Sequence, residues 1–174
     1  MPSNEYIVGQ WSALYRERPA EASHTRARYK KPAALVAFEK EYNEANARKF
    51  PKIPPECLAR YKFTDKTANG LTAAIIAHLK LHGHFASRVN STGIYDQRRG
   101  LWRTSNGTRG LADISAVIAG RAVQLEIKAG KDKPRGAQLQ VQANVRAAGG
   151  VYEFIHNFTE YIAFYEELTK PQPP

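Results

Sequence analysis

From about Tyr61 onward, hydrophobic positions recur first at helical and then at strand spacing. The first stripe repeats at i, i+3, i+4, i+7 and i+8 and predicts an amphipathic helix that ends near Gly83. Its members are Leu71, Ala74, Ile75, His78 and Leu79. A strand is predicted over 84–90. The polar and basic segment over 91–110 is predicted to be a long loop.

Two β-rich segments follow the loop, over 111–119 and 122–129. Gly120 and Arg121 lie between them and indicate a tight hairpin. The remaining predicted elements are a helix over 135–148, a strand over 151–156 and a last helix that Thr159 caps and that ends at Lys170. This alternation of helices and strands predicts an α/β fold.

Residues 1–60 have a different pattern, with basic side chains and several prolines. Pro32 in the first turn and the lack of glycine favour a helix over 33–49. A proline cluster over 51–55 closes this segment. We therefore divide the chain into a helical, basic N-terminal extension, residues 1–60, and an α/β domain, residues 61–174.

The composition adds a strong positive charge to this picture. The net charge is +10 and the isoelectric point is about 9.8. A field of this sign favours polyanions such as nucleic acids, although basic chains also bind anionic membranes. Cys57 is the single cysteine, which excludes an intrachain disulfide. No segment reads as a signal peptide or a membrane span. We therefore expect a soluble cytoplasmic protein that binds DNA, including nucleoid or host DNA, and no membrane.

The predicted hairpin carries Asp113, Glu126 and Lys128 in a segment that is otherwise mostly apolar. Side chains alternate across a strand, so Glu126 and Lys128 share a face. With the turn placed as above, Asp113 lies opposite Lys128, and Ser115 lies opposite Glu126. Neighbouring carboxylates repel each other, and a bound Mg²⁺ or Mn²⁺ would reverse this effect and could activate water for phosphodiester hydrolysis. The alternative is an edge hairpin whose polar face only meets water.

Gln138 is a second candidate for a functional side chain. On the predicted helix it shares the inward stripe with Val141 and Val145. A buried amide needs hydrogen-bond partners. Gln138 therefore either supports the site or bonds to the backbone or to water inside the core.

Basic side chains are concentrated on both sides of the hairpin. The preceding loop mixes guanidinium groups with one aromatic ring, a combination that suits contacts to phosphates and stacking on an unpaired base. These candidates for nucleic-acid binding are Arg98, Arg99, Trp102, Arg103 and Arg109 before the hairpin, and Lys131, Lys133 and Arg135 after it. A solvated loop is the alternative.

Three short segments together resemble a known family. Gly110-Leu111-Ala112-Asp113, then Leu125-Glu126-Ile127-Lys128, then Gln138 are similar to the core of the PD-(D/E)XK nucleases, and more particularly to the VRR-NUC branch. The resemblance spans about residues 71–164. It includes Arg88-Val89-Asn90 on the first strand, so we add Arg88 and Asn90 to the candidates for nucleic-acid contacts.

The resemblance implies a mixed central sheet flanked by helices. It also implies a Mg²⁺ or Mn²⁺ site formed by Asp113, Glu126 and the backbone carbonyl of Ile127. Lys128 would then be catalytic, and Gln138 would support the site or the phosphate. Cleavage in this family typically leaves a 5′-phosphate and a 3′-hydroxyl.

The first helix departs from the family pattern. Many relatives place a metal-associated glutamate there, whereas this chain has no acidic residue between Asp65 and Asp96. Asn69 or Thr72 could take that position through a water molecule. We therefore expect chemistry with a single metal.

The leading hypothesis is a metal-dependent DNA endonuclease of the VRR-NUC type, associated with phage or repair functions. This hypothesis includes selectivity for junctions, flaps or nicks in DNA and assembly of the chain into a homodimer. The rival hypothesis is a non-catalytic nucleic-acid-binding module that retains the nuclease fold, and a third is a regulatory protein that binds a partner.

Overall fold

The computed structural model describes residues 29–89, 94–103, 108–130 and 132–171, and of residues 94, 102 and 103 it describes the backbone. The predicted contacts at Asn90 and Lys131 lie outside the described residues, as do positions 1–28 of the extension. The helices of the described part are α1 (Ala33–Lys49), α2 (Ala68–Leu81), α3 (Gly136–Ala147) and α4 (Phe158–Thr169). Its strands are β1 (Phe85–Arg88), β2 (Ile94–Asp96), β3 (Leu101–Arg103), β4 (Ile114–Ile118), β5 (Arg121–Ile127) and β6 (Val151–Ile155).

A four-stranded mixed sheet in the order β1-β4-β5-β6 forms the centre of the fold. β4 is antiparallel to both of its neighbours, and β6 runs parallel to β5. The predicted α/β class is thus confirmed. Within the described ranges, no helix is long and apolar enough to cross a membrane.

The two faces of the sheet are covered by different helices. Leu125 and Ile127 point towards the main core, where α1, α2 and α4 pack. The opposite face carries Tyr152 and Phe154, which pack against Val141 and Val145 of α3. Because strand side chains alternate, Glu126 lies on the α3 side of β5.

The predicted helix over 33–49 is confirmed as α1, which packs directly on the domain. Leu35 and Phe38 are buried in the main core. The Phe38 ring stacks on Phe158 of α4 with the ring centroids 5.4 Å apart. Burial of these two side chains explains why this helix is stable beside the sheet.

The turn between β4 and β5 differs from the predicted one. Ile118 pairs with Arg121, so the two turn residues are Ala119 and Gly120. Their φ angles are 48° and 76°, as a two-residue type I′ hairpin requires. A turn centred one residue later would put a bulky arginine at positive φ, which is sterically unfavourable.

This earlier turn shifts the predicted pairing by two positions. Ile114 pairs with Leu125, and continuing the pairing by one residue brings Asp113 opposite Glu126. Ser115 pairs with Gln124, so the predicted pairings of Asp113 with Lys128 and of Ser115 with Glu126 are both wrong. The side chains keep their faces because a shift of two residues equals the strand period.

Ala119→Asn is expected to stabilise the protein by about 1 kcal/mol, because asparagine tolerates the left-handed conformation better than alanine. Urea denaturation would measure the change. Ala119→Val, with a β-branched side chain at the same φ, is expected to destabilise by about 1–2 kcal/mol. A stabilising valine would contradict the assigned turn.

Two further predictions are corrected. The segment 91–110 contains the two-stranded sheet β2–β3 and is not a loop throughout. Its turn is held by Asp96, whose carboxylate accepts the backbone N–H of Arg98 at 3.1 Å. The last helix is capped by Asn157, whose side chain accepts the backbone N–H of Glu160 at 2.9 Å. Thr159 lies inside the first turn of α4.

Candidate active site

A buried charged group lies at the end of β5, on the sheet face that α3 covers. Glu126 is 5% exposed and Lys128 is 1% exposed. Their side chains form an ion pair with Lys128 Nζ 3.2 Å from Glu126 Oε1. Charges at this depth lose hydration and persist only where partners compensate them.

Glu126 interacts with the side chains of four polar residues, Gln138, Asp113, Lys128 and Asp132. Gln138 Nε2 donates a hydrogen bond to Glu126 Oε1. Burial raises the pKa of the Glu126 carboxyl, the negative charge of Asp113 raises it further, and Lys128 opposes both effects. The surroundings of Glu126 therefore disfavour its negative charge, which Lys128 offsets only in part.

Asp113 is fixed to two strands at once. Its Oδ2 accepts the backbone N–H of Ile127 at 2.9 Å, and its carbonyl accepts the N–H of Val89 at 2.8 Å. The structure therefore brings Asp113, Glu126 and Lys128 together. The contact found at Ile127 uses its N–H, and the role of its carbonyl as a metal ligand stays a prediction.

Gln138 joins α3 to this group through both ends of its amide. Oε1 accepts the backbone N–H of Arg135 at 2.9 Å, while Nε2 bonds to Glu126. The amide oxygen thus accepts a backbone N–H at the start of α3, and the amide nitrogen orients the Glu126 carboxylate. The inward stripe expected for Gln138 agrees with the packing of Val141 and Val145 on the same side of α3.

Asp132 and Tyr152 belong to the surroundings of the site and were not predicted. Asp132 Oδ2 lies 3.1 Å from Lys128 Nζ, and the hydrogen bond from Lys128 lowers the pKa of Asp132. The Tyr152 hydroxyl donates to the carbonyl of Gly110 at 3.2 Å. Burial raises the pKa of Tyr152, and the charges of Glu126 and Asp113 raise it further. Asp132 lies on an irregular segment where neither strand nor helix spacing indicates contacts.

Gly110 holds the segment before Asp113 close to the start of α3. Its φ is 87°. A Cβ atom there would lie 2.5 Å from the carbonyl oxygen of Ala137 and 2.9 Å from the backbone nitrogen of Gln138. Only glycine permits this approach.

Gly110→Ala is expected to destabilise the fold by about 3 kcal/mol, since the left-handed φ and the contact with α3 both add strain. It should also displace Gln138 from Glu126. Gly100→Ala is the matched control, because Gly100 has φ 62° and a Cβ atom at that position would meet nothing within 4 Å; its cost should be about 1 kcal/mol. Equal melting temperatures of the two variants would contradict the packing argument.

The residues predicted to contact nucleic acid are exposed wherever the structure describes their side chains. The exposed members in the described residues are Arg88, Arg98, Arg99, Arg109, Lys133 and Arg135. Of Trp102 and Arg103 only the backbone, in β3, is described. Arg109 directly precedes Gly110, and Arg135 precedes α3, so both basic segments lead into elements that hold the site.

Two polar side chains of α2 already have hydrogen-bond partners. Asn69 Oδ1 accepts a hydrogen bond from Arg88 at 2.7 Å. The Thr72 hydroxyl donates to the Ala68 carbonyl at 2.8 Å. The water-mediated role predicted for Asn69 or Thr72 stays a prediction.

The donor set fits a small divalent cation that retains water. Asp113 and Glu126 supply oxygen atoms, the ligands that Mg²⁺ and Mn²⁺ prefer. The raised pKa of Glu126 reflects a site in which one lysine only partly offsets burial and the neighbouring carboxylate. Among the residues described, no cluster of three or more histidine, cysteine or acidic side chains is arranged to hold a metal ion.

Comparison with protein-family models, with curated proteins and with solved structures gives no match. The geometry of the site and the short motifs quoted above therefore indicate the function. Both concern the same residues, Asp113, Glu126, Lys128 and Gln138.

Proposed function

We propose that this chain is a divalent-metal-dependent nuclease that cleaves DNA, with a fold of the PD-(D/E)XK type and a site of the VRR-NUC kind. The observation that carries the proposal is the burial of Glu126 between Lys128 and Gln138, with Asp113 just before the neighbouring strand β4. A purely structural role explains this arrangement poorly. Apolar side chains of similar volume often stabilise a protein as well as a buried ion pair does.

The topology also supports this proposal. The mixed sheet is flanked by helices on both faces, as the resemblance implies. Asp113 precedes β4, while Glu126 lies near the end of β5. The hairpin therefore places the carboxylates of two neighbouring strands at one end of the sheet, next to the start of α3.

Asp113 and Glu126 are the side chains that would hold the Mg²⁺ or Mn²⁺ ion, with the carbonyl of Ile127 as a proposed third ligand. The cation supplies, when bound, the positive charge that polarises a phosphate oxygen and makes water more acidic. In the chain itself, the N–H of Ile127 fixes Asp113, and the amide of Gln138 orients Glu126.

Lys128 is the group that we assign to the reacting phosphate. Its ammonium can donate hydrogen bonds to the phosphate oxygens that gain charge in the transition state. Water attacks phosphorus in line with the leaving 3′ oxygen and releases a proton to solvent. The P–O3′ bond breaks, and the 3′ oxygen takes up a proton from solvent. The products are a 5′-phosphate and a 3′-hydroxyl.

DNA is the proposed substrate because the charge of the chain is +10 and arginines are exposed in the segments that lead into the site. A non-catalytic DNA-binding module is the second candidate, since the same charges would serve it. The two candidates differ only in cleavage.

The deciding experiment incubates the purified chain with supercoiled plasmid, linear duplex, single strands and a four-way junction, each with Mg²⁺, Mn²⁺ or a chelator. The nuclease proposal expects cleavage of at least one substrate with a metal and none with the chelator. Binding without cleavage of any substrate would instead favour the non-catalytic module. Weakening of binding by salt does not discriminate, because both candidates contact phosphates.

A further inference from the structure

Lys128 is held between two carboxylates, of which only one belongs to the proposed metal site. Nζ lies 3.2 Å from Glu126 Oε1 on the inner side and 3.1 Å from Asp132 Oδ2 on the outer side. The side chain of Asp132 is 47% exposed, whereas that of Lys128 is 2% exposed. Asp132 thus lies at the boundary between the buried ammonium and solvent.

We infer that Asp132 is a positioning residue, which holds the Lys128 ammonium at the edge of the site where a phosphate arrives. This inference rests on the nuclease function proposed above. It deepens that function by adding a residue from the segment after β5.

The two carboxylates cannot stabilise the Lys128 ammonium equally during the reaction. A cation bound by Glu126 would weaken the attraction between Glu126 and Lys128 and would itself repel the ammonium. Among the residues that the structure describes, Asp132 is then the remaining carboxylate within hydrogen-bond distance of Lys128. Without it, a flexible lysine side chain would occupy several rotamers, and misplacement by about 1 Å can cost about 10²-fold in rate.

The charges around Asp132 are suited to this role. Arg135 contributes a favourable electrostatic interaction with the carboxylate of Asp132. Among the hydrogen bonds of the described residues, none joins Asp132 to Asp113, Glu126 or Gln138, and its negative charge is the smallest of the influences on the pKa of Glu126. Its removal should therefore affect Lys128 first and leave the metal ligands in place.

The test compares wild type with Asp132→Ala, Asp132→Asn and Asp132→Glu for cleavage in saturating Mg²⁺ and for DNA affinity in chelator. We expect kcat of the alanine and asparagine variants to fall by about 10–100-fold, the scale of residues that orient catalytic groups. Their KM and DNA affinity should be unchanged or improved, because a negative charge at the rim is lost. Glutamate should recover part of kcat, since it restores the charge.

Glu153→Gln is the matched control, because Glu153 forms an exposed ion pair with Arg146 at 3.1 Å. Its kcat should equal that of wild type. A wild type that cleaves DNA together with an equally active Asp132→Ala would overturn the positioning role while the nuclease function stands. A fall in kcat that glutamate does not relieve, or that is matched by weaker DNA binding, would also overturn it.

A second readout does not depend on cleavage. Labelling of Lys128 by an amine-specific reagent, followed by peptide mass spectrometry, should be slow in wild type and several-fold faster in Asp132→Ala. Equal labelling of the two proteins would overturn the inference even if cleavage were never observed. Failure of the nuclease function would appear separately, as an inactive wild type on every substrate.

Discussion

Asp113→Asn is expected to reduce metal-dependent cleavage by at least about 10²-fold while the fold is retained. The asparagine oxygen can still accept the N–H of Ile127, which Asp113 Oδ2 accepts at 2.9 Å. The variant loses the negative charge of Asp113. A divalent cation bound by one carboxylate instead of two is held less tightly. The cleavage rate over a series of Mg²⁺ concentrations would measure the effect.

The same variant should be at least as stable as wild type without metal. Asp113 raises the pKa of Glu126, which means that the two charges repel each other in the folded chain. Removing one of these charges relieves the repulsion. Asp113 would then be a functional residue that lowers the stability of the folded chain. Wild-type cleavage by Asp113→Asn at all metal concentrations would contradict the site, and Glu153→Gln controls for the loss of an ordinary surface charge.

Much of the fold could be predicted because its signals are local. The stripe from Leu71 to Leu79 has the period of a helix with one buried face, and five of its positions are buried in α2. The face shared by Glu126 and Lys128 likewise follows from strand alternation. Both predictions needed no knowledge of what packs against the element.

Other features depend on contacts that no periodicity encodes. The position of the β4–β5 turn depends on which residues tolerate positive φ, and Ala119 gives no such signal. The strands β2 and β3 are three residues long, too short for a pattern to stand out from a polar segment. Asp132 reaches Lys128 from an irregular segment, so its place could be found only from the folded chain.

Lys128→Met is expected to lower the free energy of unfolding by about 3–5 kcal/mol, the cost of removing one partner of a buried ion pair. Methionine fills a similar volume, but Glu126, at 5% exposure, then loses the cation 3.2 Å away. Urea denaturation at neutral pH measures the loss. Lys40→Met is the matched control, because the Lys40–Glu44 pair is exposed and its ions are 3.9 Å apart; it should change stability by less than about 0.5 kcal/mol.

The loss of unfolding free energy in Lys128→Met should be larger at high pH than at low pH. Burial already raises the pKa of Glu126, and Lys128 is the group that opposes this. In the variant the folded-state pKa rises further above the unfolded value, so the folded chain binds the proton more tightly. The deficit is therefore largest above that raised pKa and shrinks as the pH falls through it. A deficit that grew on acidification would contradict an unpaired Glu126 as its cause.

Two compensating changes separate charge from packing in this variant. Adding Glu126→Gln to Lys128→Met removes the unpaired charge and keeps a polar partner for Gln138, so most of the lost stability should return. Mg²⁺ should likewise raise the melting temperature of Lys128→Met more than that of wild type, because Asp113 and Glu126 then attract the cation without competition from an ammonium. A double variant as unstable as Lys128→Met alone would show that the lysine stem, and not its charge, supports this end of β5.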